Sequence, residues 1–193
     1  MSFPEDFAPL IKPLKSLQQL LDRFGARGVI IGGIATGFLG RPRFTVDLDA
    51  IFLASVKDIP QILDLARAEG IEPRTQDAIE FAKKSRVLLL RHNDSGINID
   101  ISLGILPFEE EVVERSVLYD TGLLSVRLPT PEDLIILKAI AYRPKDLLDI
   151  QEVVTNNPNL DLSRIEYWVR SFAELLEMPE LWGQIEKILK QQE

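Results

Sequence analysis

Apolar and polar residues follow two different periods along this chain, and the switches between them mark out its elements. Leu10, Leu14, Leu17, Leu20 and Leu21 recur at helical spacing within residues 4–24, and Gly25 follows, so a packing helix is expected there. Residues 29–31, Val-Ile-Ile, form a short apolar run that predicts a buried strand. Gly32-Gly33 then reads as a sharp turn, residues 34–39 as a short helix stopped by Gly40, and residues 44–53 as a second strand. Residues 57–69 carry Ile59, Ile62, Leu63, Leu65 and Ala66 on one helical face, ending at Gly70. The stretch 72–85 has no clear period. Residues 86–91 and 97–103 flank Asn93-Asp-Ser-Gly96, the pattern of a hairpin, with Ile97, Ile99 and Ile101 on one face and Asn98 and Asp100 on the other. A helix over 109–118 and a last strand over 123–128 complete this part.

After Pro129 the pattern is helical almost throughout. Thr130 is placed as an N-cap and Pro131 at the first helical position. Helices over 131–142, 145–155, 163–177 and 180–191 would form a bundle, jointed at Asn156-Asn-Pro-Asn159 and Met178-Pro179. The expected fold class is α+β, a mixed sheet flanked by helices and followed by a C-terminal helical bundle. The expected division is residues 1–129, a core with an N-terminal packing helix, and residues 130–193, a helical subdomain.

Composition narrows the chemistry. With 193 residues, 46% hydrophobic and 27% charged, the chain has the balance of a globular protein able to bury a core without disulfides. It has no cysteine and one histidine, which excludes thiol catalysis, zinc-thiolate centres and multi-histidine metal sites. A bound metal must therefore be held by oxygen. A formal charge of −8, from 22 basic and 30 acidic residues, opposes non-specific nucleic-acid binding. No apolar run is long enough to span a bilayer, and the start lacks the features of a signal peptide, so a cytoplasmic location without membrane association is expected.

Within this frame, Arg43-Phe-Thr-Val-Asp-Leu-Asp49 stands out. Side chains two apart on a strand point the same way, about 6–7 Å apart, so Asp47 and Asp49 project together, with Val46, Leu48 and Ala50 on the opposite face. Mg²⁺ favours one or two carboxylates completed by water and phosphate oxygens. The competing reading is a solvated edge strand. Asp100, on the polar face of its strand, is a candidate third carboxylate for a second metal or for base catalysis, against a plain solvated hairpin face. Gly32-Gly33 before a helix N-terminus allows a phosphate to approach the backbone, and Arg41 and Arg43 could neutralise it. His92 reads as a solvated turn residue rather than a catalyst.

The run Gly32-Gly-Ile-Ala-Thr-Gly-Phe-Leu-Gly40, then Arg41-Pro, then Arg43-Phe-Thr-Val-Asp-Leu-Asp49 resembles the nucleotidyltransferase superfamily that includes DNA polymerase β. More closely, it looks like the AbiEii branch, known as toxins of bacterial toxin-antitoxin systems. That branch also carries a later helical segment with a lysine and a basic-Asp-x-x-Asp pattern, matched here by Lys138-Ala-Ile-Ala-Tyr-Arg-Pro-Lys-Asp146-Leu-Leu-Asp149. The likeness runs over residues 28–150. It implies that Gly32 and Gly33 contact the triphosphate, with Arg43 and Thr45 beside them. It further implies that Asp47 and Asp49 hold Mg²⁺ or Mn²⁺, that Lys138 meets the nucleotide and that Asp146 assists catalysis. Lys138 emerges from an apolar stretch, which fits a buried partner such as phosphate or a lysine snorkelling at the core's rim. Asp146 and Asp149 also read as helix-surface charges, with Lys145 and Asp149 an i,i+4 pair.

The expected activity is transfer of a nucleoside monophosphate from an NTP to a hydroxyl of RNA, protein or a small molecule, with an antitoxin as a possible protein partner. Two alternatives come from other classes. One is a non-catalytic nucleotide-binding or toxin-antitoxin interaction module on the same fold. The other is a different Asp-x-Asp enzyme, such as a metal-dependent glycosyltransferase or an aspartyl-phosphate phosphatase. The phosphatase expects a continuous apolar strand where Arg43-Phe-Thr stands.

Overall fold

The computed structural model describes residues 5–43 and 45–190. These residues divide into two compact units, one of residues 5–34, 42–43 and 45–129 and one of residues 35–41 and 130–190.

The first unit is built on a five-stranded mixed sheet. After a 3-10 turn over Glu5–Leu10 comes α1 (Ile11–Arg23), whose Leu14, Leu17, Leu20 and Leu21 are fully buried on one stripe. The strands are β1 (Gly28–Ile31), β2 (Asp47–Leu53), β3 (Ile71–Pro73), β4 (Val87–His92) and β5 (Asn98–Gly104), in spatial order β1-β2-β5-β4-β3. The β2–β5 pair is parallel and the other three pairs are antiparallel. Helix α2 (Gly32–Leu39) follows β1 directly, α3 (Ile59–Ala68) precedes β3, and α4 (Ala78–Ser85) precedes β4.

Alternation along the strands sorts the two faces. Leu48, Ala50, Phe52, Leu88, Leu90, Ile99 and Ile101 are buried on one face, where Phe52 stacks on Phe24 at the end of α1. The other face carries the polar residues. Helix α5 (Pro107–Glu114) packs against β1 and β2, and a separate hairpin of β6 (Val117–Asp120) and β7 (Ser125–Leu128) lies beside β1 and α1. Gln18 ties α1 to that hairpin, its Oε1 accepting from the Arg127 backbone N–H at 2.9 Å.

The second unit holds α6 (Pro131–Ala141), α7 (Pro144–Asn156), α8 (Leu162–Leu175) and α9 (Leu181–Lys190), with α6 packed on α7 and α8, and α9 on α7 and α8. Thr130 caps α6, its Oγ1 accepting from the Asp133 N–H, and Pro131 takes the first turn. Among the described residues, no helix is long and apolar enough to cross a membrane.

The α+β class with a mixed, helix-flanked sheet is thus present, with local differences. Helix α2 begins at Gly32 itself, so there is no separate glycine turn. Strand β2 begins at Asp47, leaving Val46 exposed ahead of it, and Phe44 lies outside the described residues. The helix expected over 109–118 stops at Glu114 because 117–118 already pair with β7. The unassigned stretch 72–85 contains the end of β3 and α4. Pro4 and Gln191, at the outer limits of the first and last expected helices, fall outside the described residues.

Candidate functional site

Strand β2 lies inside the sheet, between β1 and β5, so Asp47 and Asp49 do not belong to an edge strand. In the parallel β2–β5 register, Asp47 stands opposite Asn98 and Asp49 opposite Asp100. Paired residues on neighbouring strands share a face about 4.8 Å apart, so Asp47, Asp49 and Asp100 occupy the polar face together. On the other side of β2, Asp49 is the partner of Ile31, the residue just before α2. The N-terminus of α2 and the carboxylates therefore meet at the same end of the sheet.

Local packing explains both glycines. Gly32 has φ +64, and a Cβ there would fall 2.1 Å from Asp49 Oδ2; a Cβ on Gly33 would fall 2.7 Å from Thr45 Oγ1. The missing side chains let Asp49 and Thr45 sit against the start of α2. Buried Thr45 also orients Asp47, with its Oγ1 3.1 Å from Asp47 Oδ1 and 3.2 Å from the Asp47 carbonyl oxygen. Arg43 is half-buried near this strand's start, whereas Arg41 is exposed and belongs to the second unit.

Asp100 has a partner that the sequence pattern does not reveal. Arg74, one residue beyond β3, donates its backbone N–H to Leu89 O at 2.9 Å and its guanidinium to Asp100 Oδ1 at 2.7 Å. The two side chains are 21% and 33% exposed. Burial pushes the Asp100 carboxyl above the ordinary aspartate range; Arg74 pulls it down and the Asp47 charge pushes it up. On the same face Arg91 Nε donates to Asn98 Oδ1 at 3.3 Å.

This donor set consists of hard carboxylate oxygens, the kind Mg²⁺ and Mn²⁺ take. Yet among the described residues no three acidic or histidine side chains converge closely enough to hold a metal as they stand. Asp100 is turned to Arg74 instead.

The second motif forms a buried charge cluster within the helical unit. Lys138 Nζ lies 2.6 Å from Asp149 Oδ2 and 3.3 Å from Asp146 Oδ1. Arg143 donates to Asp146 from Nε at 2.6 Å, from a terminal guanidinium nitrogen at 3.1 Å and from its backbone N–H at 3.1 Å. Lys138, Asp146 and Asp149 are all buried, so the two aspartates are not surface charges and the lysine does not snorkel to solvent. Burial raises the Asp146 carboxyl, but hydrogen bonds and charge from Arg143 and Lys138 outweigh it and leave the group below its usual range. His92 also departs from expectation, being buried, with Nδ1 2.9 Å from Ser95 Oγ and its pKa lowered by burial.

A crystal structure of an antigenic nucleotidyltransferase-like protein from Paracoccidioides brasiliensis is similar in fold, with a TM-score of 0.54, 17% identity and 93% of each chain covered. No curated protein matches the sequence. The family model described as "Nucleotidyltransferase of unknown function (DUF6036)" matches residues 5–178. Nine-tenths of the chain thus falls within that model, and the protein belongs to this nucleotidyltransferase family.

Proposed function

We propose that the protein transfers a nucleoside monophosphate from an NTP to a hydroxyl acceptor, in a Mg²⁺- or Mn²⁺-dependent reaction centred on Asp47, Asp49 and Asp100. The observation that carries this reading is the direct β2–β5 pairing of Asp49 with Asp100, with Asp47 on the same face and the N-terminus of α2 alongside. A bound divalent ion would neutralise phosphate charge and lower the acceptor hydroxyl's pKa. The chain's own part is to position. Asp47 and Asp49 would hold the ion, Thr45 orients Asp47, and the first amides of α2, at Gly32 and Gly33, would bind phosphate oxygens. The acceptor oxygen bonds to the α-phosphorus while the bond from that phosphorus to the bridging oxygen breaks, and pyrophosphate leaves. Asp100, kept more basic by burial, takes the acceptor proton. RNA, protein and small-molecule hydroxyls all fit this chemistry, and the toxin role rests on the AbiEii resemblance. Lys138 and Asp146 enter through the motif only, since the partners seen for Lys138 are carboxylates.

Pyrophosphate release from Mg²⁺-NTP with an RNA, protein or small-molecule acceptor pool tests the reading. Loss of release in Asp47→Asn and Asp49→Asn supports it, and release unaffected by both contradicts it. A non-catalytic nucleotide-binding module is favoured by one observation, the engagement of Asp100 by Arg74. NTP binding without release under every acceptor condition would select that alternative.

A further inference from the structure

We propose that Arg74 is a clasp on Asp100, a positioning residue that competes with the divalent cation for this carboxylate and so opposes completion of the three-carboxylate site. The inference rests on the metal reading given above, takes the other role open to Asp100, that of a third ligand, and adds a control element to it.

The geometry is specific. Asp100 lies on β5, the middle strand of five, directly opposite Asp49. Across the sheet its other neighbour is Leu89 of β4. Arg74 extends the β3 edge by one residue, with its N–H on the Leu89 carbonyl, so its side chain reaches across β4 to Asp100. Two strand spacings amount to about 10 Å, a span that suits the length of arginine. The contact is charge-assisted at 2.7 Å, and both side chains are largely withdrawn from water, which makes it stronger than a surface pair. In the same site three carboxylates share a face, and no three converge on an ion position among the described residues.

A cation placed between Asp49 and Asp100 must compete with Arg74 for the Asp100 carboxylate, whose Oδ1 the guanidinium holds. Removing that guanidinium should therefore tighten cation binding. The effect should depend wholly on Asp100.

The test is Mn²⁺ binding alone, with no nucleotide, read by the paramagnetic resonance of free Mn²⁺. It compares wild type, Arg74→Gln, Arg74→Lys, Asp100→Asn, the Arg74→Gln/Asp100→Asn double variant and Asp47→Asn. Arg74→Gln is expected to bind Mn²⁺ about tenfold more tightly, the size typical of changes to a ligand's supporting group. Arg74→Lys, which keeps a cation, should stay near wild type. In the Asp100→Asn background Arg74→Gln should make no difference. If Arg74→Gln does not fold, Arg74→Met keeps the aliphatic stem and gives the same reading. Binding that Asp47→Asn weakens but Arg74→Gln leaves unchanged overturns the clasp alone, and so does a gain that persists without Asp100. Absence of Mn²⁺ binding in wild type and in Arg74→Gln overturns the metal reading, and the clasp with it.

Discussion

Asp49 and Asp100 stand directly opposite each other on the parallel strands β2 and β5, two carboxylates side by side in the interior of a sheet. Like charges so placed destabilise a strand pair, which argues for a role other than stability. If Asp100 takes the acceptor proton, Asp100→Asn should lower turnover about a hundredfold or more, the lower range for a lost general base. NTP affinity, read by calorimetry, should change little, because the phosphates are seated at the start of α2. A parallel loss of binding and turnover would remove Asp100 from the base role.

The start of α2 can be tested by packing alone. Gly32→Ala places a Cβ 2.1 Å from Asp49 Oδ2 at a φ of +64, whereas Gly96 has a similar φ of +69 with nothing within 4 Å of a new Cβ. Gly96→Ala should cost only the left-handed backbone penalty, about 1–2 kcal/mol. Gly32→Ala should cost clearly more in chemical unfolding and should also displace Asp49, reducing nucleotide binding. Equal costs at the two positions would show that Asp49 yields freely.

Lys138 carries a stability prediction independent of any nucleotide. It supplies the amine contacted by two buried carboxylates, Asp146 and Asp149. Lys138→Met should lower unfolding free energy by about 3–5 kcal/mol, as expected when one member of a buried ion cluster is removed. Denaturant unfolding checks it. A change below about 1 kcal/mol would mean that the cluster relaxes or hydrates without cost.

The chain's periods were enough to place most of the elements, because Leu14, Leu17, Leu20 and Leu21, or Ile99 and Ile101, are buried where their spacing says they should be. The side-by-side projection of Asp47 and Asp49 was equally legible, since it follows from strand geometry. What local spacing does not contain is strand order. That Asp49 pairs with Asp100, 51 positions on in the sequence numbering, depends on β5 inserting beside β2. Arg74 was missed for the same reason, since it joins the site only because β3 lies two strands from β5, and it falls within the stretch 72–85, which has no clear period. The surface-charge alternative for Asp146 and Asp149 and the solvated-turn reading of His92 fail because polar residues are usually exposed and only tertiary packing supplies the partners of these three.

The depressed Asp146 titration sets a pH signature. Its folded-state pKa lies below the unfolded value of about 3.9, so its contribution to stability is full above that value and is lost as pH falls through the folded pKa. Unfolding free energy of the wild type should therefore decline below about pH 4 more steeply than that of Asp146→Asn. Urea titrations between pH 2.5 and 7 measure the difference. Identical slopes would show that Asp146 gains nothing from Arg143 and Lys138 on folding.

Thermal unfolding with Mg²⁺ and a non-hydrolysable NTP tests the Asp47 and Asp49 site most directly. At a ligand concentration about a hundredfold above its Kd, the wild-type midpoint should rise by about 5–10 °C, and neither Mg²⁺ nor the NTP alone should reproduce the rise. The Asp47→Asn/Asp49→Asn variant, folded by circular dichroism, should show no rise. A folded wild type with no rise, or the same rise in the double variant, would contradict the placement of metal and nucleotide at Asp47 and Asp49.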